Sequence, residues 1–307
     1  MKTVLITGGT GLIGKALTNM LLSKGYKIII VSRNAGKFKK EEQVDYVSWD
    51  LSNQQIDTTA ITKADYIVHL AGAGVADKRW SPKRKEEIVR SRVQSSSLLV
   101  KALKETDNHV RAVISASGIG WYGADPTIPN PRPFVETDPA SKDFLGDTCV
   151  KWEESIAEVR TLNKRLVILR TGIVLSNEGG ALKEFRKSLY FGVASILSTG
   201  RQIVSWIHID DLIRMYVDAI ENDTLEGIYN AVAPKPISNK ELTLQLAKVM
   251  KGNFYVPMHV PAFALTAMLG ELSVEVLKST TVSANKIRKT GFNFIYPSIE
   301  PALTQLG

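Results

Sequence analysis

The sequence predicts an α/β chain: a doubly wound parallel sheet with a smaller C-terminal α/β domain. Three observations point to it. Short β-rich runs alternate with helical patterns through the first half, the order in which helices wrap a parallel sheet. The run at residues 27–32 is apolar almost throughout, as a strand buried on both faces is. A glycine-rich turn separates the first run from the first helical pattern.

In order, residues 4–7 read as the first strand. Residues 12–22 read as an amphipathic helix closed by Gly25, where a left-handed cap belongs. Strands at 27–32, 44–49, 66–70, 112–117 and 166–170 continue the series, with helices over 85–104 and 147–160 between them. The segment 125–138 carries Pro126, Pro129, Pro131 and Pro133, so it reads as an exposed loop near the cleft. Beyond Thr171 the pattern loosens. Gly179-Gly180 breaks the chain before a helix over 181–190. A strand end enters a helix over 207–220, and 228–232 is another strand. A helix runs from Ser238, with Asn239 near its cap, to Met250; an apolar helix covers 262–269, and the tail contains Phe292-Asn293-Phe294-Ile295-Tyr296-Pro297. Residues 1–175 are expected to form the sheet domain, its sheet completed by parts of 204–232. Residues 176–307 are expected to form mainly a substrate-side domain and tail.

Composition bounds the function. The 307 residues are 44% hydrophobic and 23% charged, ordinary for a globular protein. No apolar run is long enough to span a bilayer, and Met1-Lys2 leads straight into Val4-Leu5-Ile6 without a secretory pattern. A cytoplasmic location is expected. The sole cysteine, Cys149, excludes an intramolecular disulfide and a cysteine-based metal cluster, and no metal is expected. The net charge of +8 is scattered, its densest groups being Lys37, Lys39 and Lys40, then Lys83, Arg84 and Lys85. Without interleaved aromatics these groups do not form a single-strand platform. They read as a solvated basic surface that favours anionic cofactors and substrates. The expected partner is a small molecule, with neither nucleic acid nor membrane; the sequence carries no signal for an oligomeric state.

Thr7-Gly8-Gly9-Thr10-Gly11-Leu12-Ile13-Gly14 follows a strand directly and opens a helix. Gly8 permits the tight turn, Gly11 lets backbone approach a pyrophosphate, and Gly14 lets helix and strand pack closely. The helix start faces the anion. This is the phosphate loop of a Rossmann domain, with Gly8, Thr10, Gly11, Leu12, Ile13 and Gly14 as cofactor contacts. The second strand ends Val31-Ser32-Arg33-Asn34 without the acid that would accept from a ribose 2′-hydroxyl. A guanidinium and a hydroxyl suit a 2′-phosphate, so Ser32 and Arg33 point to NADP(H). Asp50 and Leu51 follow the third strand on the adenine side. Leu70, Ala71 and Gly72 close the next, where small residues let a ribose approach.

The phosphate loop, His69-Leu70-Ala71-Gly72, Ser115-Ala116-Ser117 running into Trp121-Tyr122-Gly123, and Trp206-Ile207-His208-Ile209-Asp210-Asp211 together resemble an extended short-chain dehydrogenase/reductase. More narrowly, the chain resembles the atypical "epimerase family" subgroup, some bacterial members of which carry the label of cell-division inhibitor. Leu169-Arg170-Thr171-Gly172-Ile173-Val174-Leu175, Asn230-Ala231-Val232-Ala233-Pro234 and the tail 257–306 extend the resemblance over essentially the whole chain. It implies cofactor contacts at Ser32, Arg33, Leu70, Ala71, Glu87, Arg92 and Val174. Ser115, on the strand leading to Ser117, is counted with them.

The chain departs from the extended reductases at their Tyr-x-x-x-Lys pair. With Glu153 aligned to the acid that follows the lysine, Leu145 stands at the tyrosine position and Cys149 at the lysine position. Leucine has no proton to give, and a thiol cannot hold a positive charge. Ser117 keeps the customary serine place, and Tyr122 is the nearest titratable aromatic; these are the catalytic candidates. Cys149 as nucleophile, His208 as acid/base, and Glu136 and Asp138 as substrate contacts are weaker readings beside their structural alternatives. Arg186 and Arg201 read equally as an anion clamp or as surface residues. Two functions stay open. One is an oxidoreductase or nucleotide-sugar epimerase-like enzyme without the usual dyad. The other is a non-catalytic NADP(H)-dependent redox sensor or regulatory binding protein.

Overall fold

The computed structural model describes residues 1–39 and 42–307, so Lys40 of the first basic group lies outside the described residues. The main strands are β1 (Thr3–Thr7), β2 (Lys27–Ser32), β3 (Val44–Asp50), β4 (Gln55–Ile56), β5 (Tyr66–His69), β6 (Ala112–Gly118) and β7 (Arg165–Thr171). Shorter strands follow: β8 (Ile173–Ser176), β9 (Gly179–Gly180), β10 (Val193–Leu197), β11 (Ile203–Val204) and β12 (Trp206–His208). The last three are β13 (Gly227–Ala231), β14 (Ile237–Ser238) and β15 (Val256–Val260). The helices are α1 (Leu12–Ser23), α2 (Thr58–Lys63), α3 (Pro82–Glu105), α4 (Phe144–Ala157), α5 (Ala181–Leu189) and α6 (Ile209–Glu221). Then come α7 (Asn239–Lys251), α8 (Ala262–Leu269), α9 (Ser273–Leu277), α10 (Asn285–Lys289) and α11 (Ile299–Leu306).

The sheet order is β13-β7-β6-β5-β1-β2-β3-β4, all neighbours parallel except the β3–β4 edge pair. From β1 the chain builds outward through β2 and β3, and from β5 it builds the other way through β6 and β7. The connections above β1 and β5 therefore part and open a crevice at their carboxyl ends. Residues of α1 and α6 pack one face of the sheet with Ile6, Ile28, Val68 and Ile114. Residues of α2, α3 and α4 pack the other with Leu5, Ile29, Ile67 and Val113. Both faces are covered, which is why these strands read as continuous apolar runs.

The second region has its own core, in which Leu182, Leu189, Ala194, Trp206, Leu246 and Leu303 meet. Ser238 caps α7 in a capping box with Glu241, and this reciprocal bonding fixes where the helix begins. β7 ends at Thr171, and β8, which spans the expected boundary at 175, belongs to a three-stranded layer with β12 and β9. Of the 204–232 segment, β13 enters the main sheet whereas β12 pairs with β8. The proline-rich loop is tied to the tail: Asp125 accepts from Thr281 N–H at 2.9 Å and from the Ser279 hydroxyl at 2.7 Å.

Candidate functional site

The crevice holds a cleft of about 1480 Å³. Gly8, Thr10, Gly11, Ser32, Arg33, Asp50, Leu51, Leu70, Ala71, Gly72 and Glu87 are brought together along it. Gly8 takes φ +71°, and a Cβ on Gly14 would stand 2.4 Å from the Gly8 carbonyl oxygen and 2.5 Å from Gly9 Cα. The first turn of α1 can press on the loop only because Gly14 has no side chain. Gly11 is the N-cap of α1, and no side chain caps that helix start. Its first N–H groups remain available to an anion. The loop thus fits a dinucleotide's pyrophosphate. Leu12 turns towards Gly179 and Gly180, and Ile13 packs on the core, so their offer to a ligand is backbone.

A buried network sets the wall opposite the loop. Thr7 Oγ1 accepts from the Leu70 and Ala71 N–H groups, both at 3.2 Å. Its own proton therefore points to His69 Nδ1 at 2.7 Å, which leaves the ring proton on Nε2, facing Ser96 Oγ at 3.1 Å. Burial, then the Arg92 charge, pushes the His69 pKa down to about 3; the imidazole is neutral and orients the Leu70-Ala71 turn.

At the β2 end of the cleft the charges are mostly positive. Arg33 is exposed. Arg84 is buried, donates to Glu87 at 2.7 Å and also to Gly74 O. The hydrogen bond from Arg84 holds the Glu87 carboxyl below its usual range, and the charges of Lys78 and Arg33 add to the effect. Sequence reasoning overlooked Arg84 as a site residue; its place at the helix start, three residues before Glu87, was the available signal.

Three other expected cofactor contacts are engaged within the protein. Arg92 is buried and donates to Ala73 O at 3.0 Å and Ile88 O at 2.9 Å, with its guanidinium over Trp152. It braces the cleft wall from behind. Ser115 is buried and donates to Ala116 O. Val174 packs against the core beside Ile207. None of the three is among the residues that line the cleft.

Over β6 and β7 the polar groups are turned inward. Arg170 forms a two-pronged bond with Glu153, Nε to Oε1 at 2.8 Å and Nη2 to Oε2 at 2.9 Å, and stacks over Trp121 at 3.6 Å. Ser117 Oγ donates to Glu153 Oε1 at 2.7 Å. The Tyr122 hydroxyl donates to Asn230 Oδ1 at 2.7 Å and accepts from Arg170 Nη1 at 3.2 Å. Arg170, Glu153, Ser117, Tyr122 and Asn230 are all buried. Burial pushes the Tyr122 pKa up to about 12, although Arg170 and Asn230 pull the other way. Ser117 and Tyr122 thus join one internal network, and both hydroxyls are already partnered within it. Leu145 packs beside Gly120. Cys149 Sγ donates to Gly118 O at 3.6 Å, and burial pushes its thiol up to about 11, which keeps it protonated and inert as a nucleophile.

The weaker candidates also serve the fold. His208 is itself the N-cap of α6, its Nδ1 accepting from Asp210 N–H at 3.1 Å while Nε2 faces Gln305 Oε1 at 2.9 Å. Glu136 accepts from Asn230 N–H at 2.9 Å, and Asp138 pairs with Arg132 at 2.8 Å. Arg186 donates to Leu306 O and Arg201 to Ile128 O, so they hold separate parts of the backbone and form no clamp.

This geometry defines a dinucleotide-binding protein of the short-chain reductase fold. The pattern of the NAD dependent epimerase/dehydratase family matches residues 4–231, and that of a domain of unknown function (DUF1731) matches residues 260–306; the chain belongs to this epimerase family. An epimerase family protein of Staphylococcus aureus is 34% identical over 308 residues, covering 100% of this chain and 99% of the relative. The crystal structure of human epimerase family protein SDR39U1 with NADPH superposes with a TM-score of 0.85 at 25% identity, covering 99% of this chain and 98% of that one. A nucleoside-diphosphate sugar epimerase from Corynebacterium glutamicum is 29% identical with a TM-score of 0.78, and this chain spans 58% of its length. At 20% identity and a TM-score of 0.77, MoeE5 in complex with UDP-glucose and NAD shares the fold alone. The chain is an NAD(P)-binding, epimerase-like protein.

Proposed function

We propose that the chain binds NADP(H) in preference to NAD(H) and acts as a regulatory or redox-sensing protein. On this reading it lacks the proton relay of its enzymatic relatives. The observation that carries it is the inward-turned network at Ser117, Tyr122, Glu153 and Arg170, beside Leu145 and Cys149 at the customary Tyr and Lys positions. The cofactor preference rests on Arg33 and Ser32 at the cleft, with no acid at the β2 end. The NADPH in the human relative's structure supports it. When bound, the nicotinamide supplies a hydride donor or acceptor. The chain's own residues hold the phosphates (the loop and the start of α1), the 2′-phosphate (Arg33) and the turn at Leu70-Ala71 (Thr7 and His69).

The enzymatic reading, an oxidoreductase or nucleotide-sugar epimerase-like activity, draws support from the relative titled a nucleoside-diphosphate sugar epimerase. One experiment separates the two. The purified protein is loaded with NADPH, fractionated small-molecule extract is added, and the reduced-nicotinamide absorbance is followed, with conversion of nucleotide sugars assayed in parallel. Tight NADPH binding with a flat absorbance trace and no sugar conversion is the expected result. Protein-dependent NADPH loss on one fraction, or interconversion of a nucleotide sugar, would overturn the sensing role.

A further inference from the structure

The turn joining α5 to β10 and the turn joining α7 to β15 lie side by side, with Val256 N–H donating to Gly192 O at 2.8 Å. Both present aromatic rings to solvent. Phe191 and Phe254 are each 88% exposed, and Tyr190 is 64% exposed.

The strand pairing extends this apolar tip into a face. β10 and β15 run parallel with Val193 opposite Val256 and Ser195 opposite Met258, and side chains paired in register share a face. Ala194 and Ile196 point the other way and are buried, Ala194 among the residues of the second core. Val256 and Met258 are more than half exposed on the outer side. Contiguous apolar surface of this kind marks a site of contact with something else.

The surroundings select the occupant. Lys183 and Lys187 precede the first turn on α5, and Lys248 and Lys251 precede the second on α7. One acid, Glu184, stands among them on α5, paired with Lys187 at 2.7 Å. The rim is basic, on a chain whose net charge is +8. A second copy would bring two such rims together. The outer edge of β15 is also a poor template for an added strand, because Pro257, its second residue, has no N–H to offer. An anionic bilayer complements the rim and accepts the rings.

We propose that Phe191, Phe254 and Tyr190, with the outer face of β15, seat shallowly in the headgroup region of an anionic membrane while the flanking lysines meet lipid phosphates. Aromatic rings beside lysines are the composition of an interfacial contact. The sequence-based expectation of no membrane partner rested on the lack of a spanning segment, and among the described residues no helix is long and apolar enough to cross a bilayer. A peripheral contact needs none.

Sedimentation with lipid vesicles tests the proposal on the full chain. The protein should bind phosphatidylcholine vesicles containing phosphatidylglycerol at low salt, release at high salt, and ignore phosphatidylcholine alone. Phe191→Ser with Phe254→Ser should lower the bound fraction by about tenfold. Lys187→Glu with Lys251→Glu should do the same through charge, and both doubles should retain the parent's melting temperature and NADPH affinity. Absence of binding to the anionic vesicles at low salt would overturn the proposal, as would binding that both doubles leave intact. A solution dimer that the phenylalanine double dissociates would also overturn it, assigning the face to self-association.

Discussion

The two ends of the crevice are built from the same parallel sheet yet treat their polar groups in opposite ways. Over β2 and β3, Arg33, Asp50 and Glu87 are exposed and line the cleft. Over β6 and β7, Ser117 and Arg170 both bond Glu153, and Tyr122 bonds Arg170 and Asn230, inside the protein. Exposed polar groups can exchange water for a ligand. Buried, fully partnered ones hold elements in register and resist exchange. One end is built to recognise; the other is built to be rigid.

Removing a partner from the rigid end is expected to have the largest effect. Arg170→Ala strands the Glu153 carboxylate in a buried site, and breaking a pair of that kind costs about 3–5 kcal/mol. Chemical denaturation should show this loss while the folded fraction keeps its NADPH affinity; a loss under about 1 kcal/mol would show that the network is not rigid after all. Next is Gly14→Ala, which forces backbone apart where the Cβ would meet Gly8 and Gly9. It should destabilise by roughly 1–3 kcal/mol and abolish binding of NADPH and NADH alike, read by nucleotide fluorescence. Third, Arg33→Ala should weaken NADPH by about ten- to a hundredfold, the worth of a charge-assisted bond, and leave NADH nearly unchanged. Equal losses for both nucleotides would deny the exposed end its role in choosing the cofactor.

The smallest effect at neutral pH is a pH dependence at the hinge between the ends, which grows only on acidification. The His69 pKa is lowered from 6.5 to about 3 in the folded chain, so the unfolded chain binds a proton in that window and the folded chain does not. The neutral histidine's stability is therefore fully present above pH 6.5 and is lost as pH falls towards 3, with a slope of up to roughly 1.4 kcal/mol per pH unit. His69→Gln should flatten that part of the stability profile. An unchanged slope would mean that His69 takes up its proton without unfolding.

Much of the first half was legible because its strands are apolar runs bounded by polar turns. The run 27–32 was placed to the residue and α3 was entered only a few residues late, but the short α2 was not read at all. The second half was harder. β9, β11 and β14 are two residues each, too short for a period, and β15 is exposed along nearly its whole length, so it has no alternation to read. At the site, glycine spacing revealed the phosphate loop because backbone geometry there forbids side chains. The burial of Arg92 was legible in its helix: Arg84, Ile88, Arg92, Ser95, Leu99 and Leu103 recur at three- and four-residue steps and are all buried, the inward stripe of α3. The Glu153–Arg170 pair joins a helix to a strand, and such tertiary crossings leave no local signature.

Strand β13 closes an edge of the main sheet, yet it follows β7 only after the chain has traversed much of the second region. During synthesis, about sixty residues must be added before β7 gains that neighbour, or roughly 3–12 s at ordinary elongation rates. For that interval the nascent chain exposes the backbone of an apolar strand edge, the template on which aggregates grow. The ribosome-bound chain is thus exposed to mispairing late in its synthesis, and a fragment ending near residue 200 would keep that open edge permanently.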